Sequence, residues 1–277
     1  HPILLAPVAL QRLAHPEGEW ASAIAAAAQG AGFILSTQTS VPLERVAQAV
    51  LGDPGRGPLW FQLYWQADRG FNRTLVQRAE AAGYEAIVLT IDAPVQGVRD
   101  RERQAGFAPP PGIHAVHLQE APAPAAAPDT YCAGVPACAP TWDDVACLQA
   151  RTRLPLWLKG VLHPLDARQA QALGVAGLIV SNHGGRTLDT VPATATALPR
   201  VRAAVGAELP LLVDGGIRRG TDVLKAIALG ANAVLVGRPV AWALAAGGAL
   251  GVAQALRLLR DELEMAMALA GCRALTQ

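Results

Sequence analysis

The sequence predicts an α/β fold of the (β/α)8, or TIM, barrel class, formed as a single domain over residues 1–277. Three observations predict it. Short β-like apolar runs recur along the chain, each followed by a longer segment of helical spacing, the pattern of successive βαβ units around a parallel sheet. Eight such runs can be counted, enough to close a barrel, and a chain of 277 residues matches the roughly 250 that one barrel occupies.

In order, the predicted strands are Ile3–Ala6, Gly32–Leu35, Leu59–Leu63, Ala86–Thr90, Leu156–Lys159, Gly177–Val180, Pro210–Val213 and Ala233–Val236. The predicted helices are Glu19–Gln29, Pro42–Leu51, Phe71–Ala82, Thr141–Arg151, Pro164–Leu173, Ala195–Val205, Arg219–Leu229 and a long C-terminal stretch, Gly251–Ala270. Gly30, Gly83, Gly174 and Gly230 follow four of them as C-terminal stop signals. Only the fourth connection breaks the rhythm: residues 104–140 are rich in proline and alanine without a sustained apolar period, and are expected to form a long, mobile loop. That loop leaves the C-terminal end of the fourth strand, where barrel active sites lie, which places it near substrate.

Composition narrows the function classes. Apolar residues make up 52% of the chain and charged ones 16%, ample for a large core. A formal net charge of +1 offers no broad basic field for nucleic acid or anionic lipid. No apolar stretch reaches the roughly 20 residues of a bilayer span without Gly, Pro or charge, so a soluble chain is expected. Cys132, Cys138, Cys147 and Cys272 contain no CxxC pair, which predicts a reducing, cytoplasmic compartment. His114 and His117 lie near Cys132, but no second ligand pair has zinc spacing, and they are read as ordinary loop residues with no metal. The chain opens on His1-Pro2 with no leader-like segment, so something upstream is expected to be missing.

Reactive residues gather where a barrel enzyme needs them. Thr90 and Asp92 end the fourth strand, Lys159 the fifth, Ser181, His183 and Arg186 the sixth, Asp214 and Arg218 the seventh, Gly237 and Arg238 the eighth. Asp214-Gly215-Gly216-Ile217-Arg218 and Gly237-Arg238-Pro239 combine glycines, which let backbone N–H groups approach an oxyanion, with guanidinium groups that add bidentate contacts. Either motif alone reads as a tight turn; together, after strands seven and eight, they imply a phosphorylated ligand. In Ser181-Asn182-His183-Gly184-Gly185-Arg186 two glycines leave room beside the imidazole, Arg186 suits a carboxylate, and Asp92 is placed to orient the ring. Lys159 closes an apolar run, and a cation at that depth needs an anionic or electron-rich partner, whether ligand or structural ion pair.

Nearly the whole chain resembles the FMN-dependent 2-hydroxy acid oxidase and dehydrogenase family, which includes glycolate, lactate and hydroxymandelate oxidases and mandelate dehydrogenases. The resemblance rests on Ala6-Pro7-Val8-Ala9, Ala14-His15-Pro16-Glu17-Gly18-Glu19, Phe61-Gln62-Leu63-Tyr64, Thr90-Ile91-Asp92-Ala93-Pro94, Leu158-Lys159-Gly160 and the three motifs above. It implies that Pro7, Val8 and Ala9 pass beside the flavin ring, and that Ser36, Gln62, Thr90 and Ser181 bind its polar side. Lys159 would face N1 and C2=O and stabilise negative charge on the reduced ring. Asp214, Gly216, Arg218, Gly237 and Arg238 would hold the ribityl chain and phosphate.

For substrate, the resemblance implies Arg99 and Arg186 on the carboxylate, Tyr64 as a hydrogen-bonding partner, His183 as the base and Asp92 as its support. Removal of the α-proton and removal of the hydroxyl proton with hydride transfer both need that base. Two departures stand out: this sequence lacks the family segment before the first strand that supplies another substrate-contacting tyrosine, and Gln38 stands at a substrate-pocket position. The function implied is oxidation of a small L-2-hydroxy acid, such as an aryl acid of the mandelate or hydroxymandelate kind, with O2 reoxidising FMN to give hydrogen peroxide. A dehydrogenase using another acceptor, a flavin barrel with isomerase chemistry and a non-catalytic flavin binder are the alternatives. The resemblance also implies a homotetramer.

Overall fold

A computed structural model describes residues 1–121 and 139–275. Eight parallel strands close into a barrel in chain order: β1 Ile3–Leu5, β2 Gly32–Ser36, β3 Leu59–Tyr64, β4 Ala86–Thr90, β5 Leu156–Val161, β6 Gly177–Val180, β7 Leu211–Val213 and β8 Ala233–Val236. β1 pairs with β8 through Leu4↔Leu235, which seals the ring. Every predicted strand is present, with ends moved by at most two residues.

A strand turns alternate side chains to opposite faces. Here Leu5, Phe33, Leu35, Ile87, Leu89, Leu158, Leu178, Val180, Val213 and Val236 point outward to the helix layer. The other parity, Leu4, Ile34, Val88, Trp157, Ile179, Leu212 and Leu235, fills the barrel as a separate inner cluster. Trp60 and Trp157 pack there with ring centroids 4.8 Å apart. One step of two further along the inward parity lie Ala6, Ser36, Gln62, Thr90, Lys159, Ser181, Asp214 and Gly237. The interior therefore changes from apolar to polar within a single layer, at the C-terminal ends of the strands.

Seven outer helices fall close to their predicted positions: Glu19–Ala28, Leu43–Val50, Arg69–Ala81, Trp142–Arg151, Pro164–Ala172, Thr194–Val205 and Gly220–Ala228. Gly30, Gly83, Gly174 and Gly230 all adopt positive φ, and the residue after each donates back to the carbonyl five residues earlier, as in Ala31 N–H to Ala26 and Tyr84 N–H to Ala79. The last helix corrects the expectation. It runs over Arg238–Leu269, beginning immediately after β8 instead of at Gly251, and is interrupted at Gly247–Gly248. Pro239 within its first turn is compatible with a helix start, which explains why Gly237-Arg238-Pro239 reads as a turn although it opens a helix. By length and composition this helix is apolar enough to span a bilayer. Its Val240, Leu244, Val252, Leu256, Leu259 and Leu263 are buried, and it packs against Glu19–Ala28 and Gly220–Ala228 as part of the outer ring.

The fourth connection is more structured than expected over its described part. It contains a short helix, Asp100–Gln104, and a 3-10 turn, Leu118–Glu120. Cys132, Cys138 and residues 122–138 generally lie outside the described residues. Among the described residues no three His, Cys, Asp or Glu side chains cluster as metal ligands.

His117 is an anchor for this connection. It is buried, accepts a hydrogen bond from the Leu43 N–H at Nε2 (3.2 Å) and meets the Phe61 ring edge-on. Burial, reinforced by the Arg78 guanidinium and opposed by Glu44 and Glu120, lowers its pKa from 6.5 to about 4. The sign of the linkage follows. Above pH 6.5 the ring is neutral folded or unfolded and the anchor contributes fully; between 6.5 and about 4 the unfolded chain takes a proton that the folded one refuses. Falling pH across that window is expected to remove on the order of 3 kcal/mol of stability. Urea midpoints measured from pH 7 to pH 4 check this, with His117→Gln, an acceptor that does not titrate, giving a flatter dependence.

Candidate active site

The polar layer divides into three connected groups. On one wall Ser36 Oγ donates to Gln62 Oε1 and Gln62 Nε2 donates to Thr90 Oγ1, each at 2.9 Å. The register Ser36↔Gln62 and Tyr64↔Thr90 places these side chains on adjoining inward positions. Pro7, Val8 and Ala9 lie half-buried beyond β1, which is tied to β8 there by the Ala6 N–H donating to the Val236 carbonyl.

Lys159 sits at the centre. It is 4% exposed, donates from Nζ to Ser181 Oγ at 2.9 Å and pairs with Asp214 Oδ2 at 3.2 Å. Burial works against the ammonium, but Asp214, then Asp92 and Tyr64, outweigh it and raise its pKa above the ordinary lysine value. The structural ion pair read from the sequence is present, with Asp214 as the anionic partner.

The third group is the acid–base chain. His183 Nδ1 lies 2.8 Å from Asp92 Oδ1, and its Nε2 lies 3.1 Å from the Tyr64 hydroxyl. Burial raises the Tyr64 pKa, with Asp92 adding to the rise and Lys159, Arg99 and Arg186 opposing it, so the phenol keeps its proton. An ionised Asp92 only accepts, which puts the ring proton on Nδ1 and leaves the Nε2 lone pair toward Tyr64 and the open site. Gly160 makes the contact attainable. At φ 106° it passes so close to Asp92 that an added β-carbon would lie 2.5 Å from the Asp92 side chain.

Arg99 and Arg186 converge as expected, and their meeting point is occupied. Glu102 accepts from Arg99 Nη1 at 3.3 Å and from Arg186 Nη2 at 3.4 Å. The strands alone do not bring them together. Gly97 lies against the Arg186 and Thr187 carbonyls, where a β-carbon would come within 2.5 Å of both, so the fourth connection is pressed onto the sixth. Glu102 is the residue that sequence reasoning missed. Its spacing from Arg99, three residues along one helical turn, was a readable signal for that half of the contact, while Arg186 is far away in sequence. The geometry of the pair is thus compatible with a carboxylate between the two guanidinium groups.

At the β7 and β8 ends the phosphate-type motifs are neighbours. Gly215 and Gly216 have φ of 91° and 85°, and nothing approaches a β-carbon position on Gly216 within 4 Å. Gly237 precedes the new helix N-terminus, whose first N–H groups have no intrahelical partner. Arg238 Nη2 donates to the Gly184 carbonyl at 3.0 Å. The Arg218 guanidinium lies over the Trp242 ring, 5.7 Å from the centroid.

FMN fits these residues. Asp214 Oδ1, in the polar layer, and Asp92 Oδ2, two residues beyond Thr90, are buried without a hydrogen-bond partner among the described residues. Buried acceptors of this kind are normally satisfied, so a hydroxyl-bearing or N–H-bearing ligand is called for. A chain of amide and hydroxyl groups beside a buried cation matches a flavin edge, the unpartnered Asp214 oxygen matches a ribityl hydroxyl, and a glycine cradle at a helix N-terminus matches a phosphate.

Comparison with known proteins gives the same direction. A model of the family described as FMN-dependent dehydrogenase matches residues 1–277. An L-lactate oxidase from Alicycliphilus denitrificans is 55% identical over 281 residues, which covers 100% of this chain and 76% of that protein. A 4-hydroxymandelate oxidase from Amycolatopsis orientalis is 49% identical, covering 99% of this chain and 76% of its own length. Among solved structures, a mandelate oxidase with (S)-2-phenylpropionate superposes with a TM-score of 0.89 at 46% identity, over 99% of this chain and 75% of that one.

Proposed function

The chain belongs to the FMN-dependent dehydrogenase family, and from that premise we propose that it oxidises a small L-2-hydroxy acid to the 2-oxo acid, with O2 as the electron acceptor and hydrogen peroxide as the second product. The observation that carries the proposal is the Asp92–His183–Tyr64 chain facing the Arg99 and Arg186 pair beside Lys159. FMN, when bound, supplies the two-electron acceptor and the route to oxygen.

The remaining work belongs to the protein. Arg99 and Arg186 hold the substrate carboxylate in place of Glu102. Tyr64 keeps its proton and bonds the substrate oxygen. His183 Nε2 takes the proton released as the α-carbon is oxidised, and Asp92 stabilises the imidazolium that results. Lys159, neutralised only on one side by Asp214, places positive charge where the polar layer meets the cofactor. The oxygen acceptor is supported by the relatives, whose names are those of oxidases.

The test is an anaerobic titration of the purified flavoprotein with glycolate, lactate and mandelate, followed at the flavin absorption band. At least one acid is expected to bleach the band, and air is expected to restore it with formation of peroxide. Bleaching by none of them overturns the reaction; bleaching without recovery in air replaces O2 with another acceptor.

A further inference from the structure

His183 stands on an unusual turn. His183, Gly184 and Gly185 have φ of 55°, 65° and 72°, three successive residues in the left-handed region. For a residue with a β-carbon that conformation costs about 1 kcal/mol, and a single i→i+3 bond closes the turn, so further contacts must hold it. Two contacts are local: the His183 N–H donates to Ser181 Oγ at 3.0 Å, and the Gly185 N–H donates to the Asn182 carbonyl at 2.9 Å, the bond that closes the turn.

The third contact comes from elsewhere. The central carbonyl of the turn, that of Gly184, accepts from Arg238 Nη2 at 3.0 Å across 54 residues of sequence. Arg238 is the first residue of the helix after β8, beside Gly237 and the Gly215–Gly216 cradle of the adjacent strand. The fit is close, since a β-carbon on Gly184 would lie 3.2 Å from the same guanidinium nitrogen. Arginine has five N–H donors in a rigid plane, and the Gly184 carbonyl engages one edge of it. A planar fork can bond two acceptors in different directions at once; a lysine ammonium cannot reproduce that geometry.

Resting on the flavin-dependent reading above, we propose that Arg238 is a positioning residue for the base: its guanidinium joins the phosphate end of the site to the His183 turn, so that cofactor anchoring and placement of the imidazole are one mechanical unit. Ser181 completes the link from below, because its hydroxyl receives both the His183 N–H and Lys159 Nζ. Displacement of the turn moves Nε2 relative to the α-carbon and carries Arg186, the residue that closes the turn, with it, while Arg99, on the fourth connection, keeps its place.

The variant that tests this is Arg238→Lys, measured as holoenzyme at saturating FMN. The rate constant for anaerobic flavin reduction is expected to fall by about 10-fold or more, as a small misplacement of a reacting group does, with a smaller change in the hydroxy-acid Kd, because Arg99 still holds the carboxylate. The 15N signals of the His183 ring, identified by their loss in His183→Ala, are expected to move at constant pH. Arg238→Gln, which keeps donors without charge, is expected to move them as well. Wild-type reduction rates and wild-type ring signals in both variants would overturn the proposal and leave Arg238 as a cofactor contact only. If wild-type flavin is bleached by no hydroxy acid, the reaction reading fails, while the ring signals of the variants still decide the role of Arg238.

Discussion

His183→Ala is expected to slow flavin reduction by the best hydroxy acid by about 10^2- to 10^4-fold, the range supplied by a positioned general base. The substitution removes the imidazole whose Nε2 lies 3.1 Å from the Tyr64 hydroxyl and whose Nδ1 meets Asp92. It leaves the Ser36–Gln62–Thr90 wall and the Lys159–Asp214 pair untouched, so the protein should be purified yellow. Stopped-flow absorbance under anaerobic conditions is the measurement. Retention of more than about a tenth of the wild-type rate would remove His183 from the role of base, because no such residual is compatible with the loss of the acceptor.

Lys159→Met is the second large effect, and it acts on two quantities at once. Removing the cation takes away preorganised charge from the edge of the site, worth on the order of 10^2- to 10^3-fold in rate for a group of this kind. It also strands Asp214, whose second carboxylate oxygen already lacks a partner, in a buried environment. Breaking a buried pair from one side costs about 3–5 kcal/mol. The two effects separate in the double variant Lys159→Met/Asp214→Asn: chemical denaturation should show stability largely recovered, while the reduction rate stays low. Recovery of both would mean that Lys159 serves the fold and not the chemistry.

Much of the barrel was legible before any coordinates because parallel strands buried on both faces read as short apolar runs, and helix ends marked by glycine read as stops. The site was legible for a related reason. Ser36, Gln62, Thr90, Lys159, Ser181 and Asp214 stand at the ends of such runs, and period-two alternation carries the inward direction of Ile34, Val88, Trp157, Ile179 and Leu212 onto them. The long last helix was harder to read. Its first turn holds Gly237-Arg238-Pro239 and its middle holds Gly247-Gly248, both of which are breaking signals locally, and only packing against the Glu19–Ala28 and Gly220–Ala228 helices sustains it.

By itself, then, the order of residues determined the architecture, the identity of the groups at the barrel mouth and the kind of chemistry they suit. Those properties are set by local periodicity, by chain turns and by side-chain type, all of which act over a few neighbours. What only the tertiary structure decided is how groups distant along the chain meet: Glu102 between Arg99 and Arg186, Arg218 over Trp242, and Arg238 on the Gly184 carbonyl. Each depends on a backbone approach, such as Gly97 against the Arg186 and Thr187 carbonyls or Gly160 against Asp92, whose distance is fixed by closure of the whole ring and by no local rule.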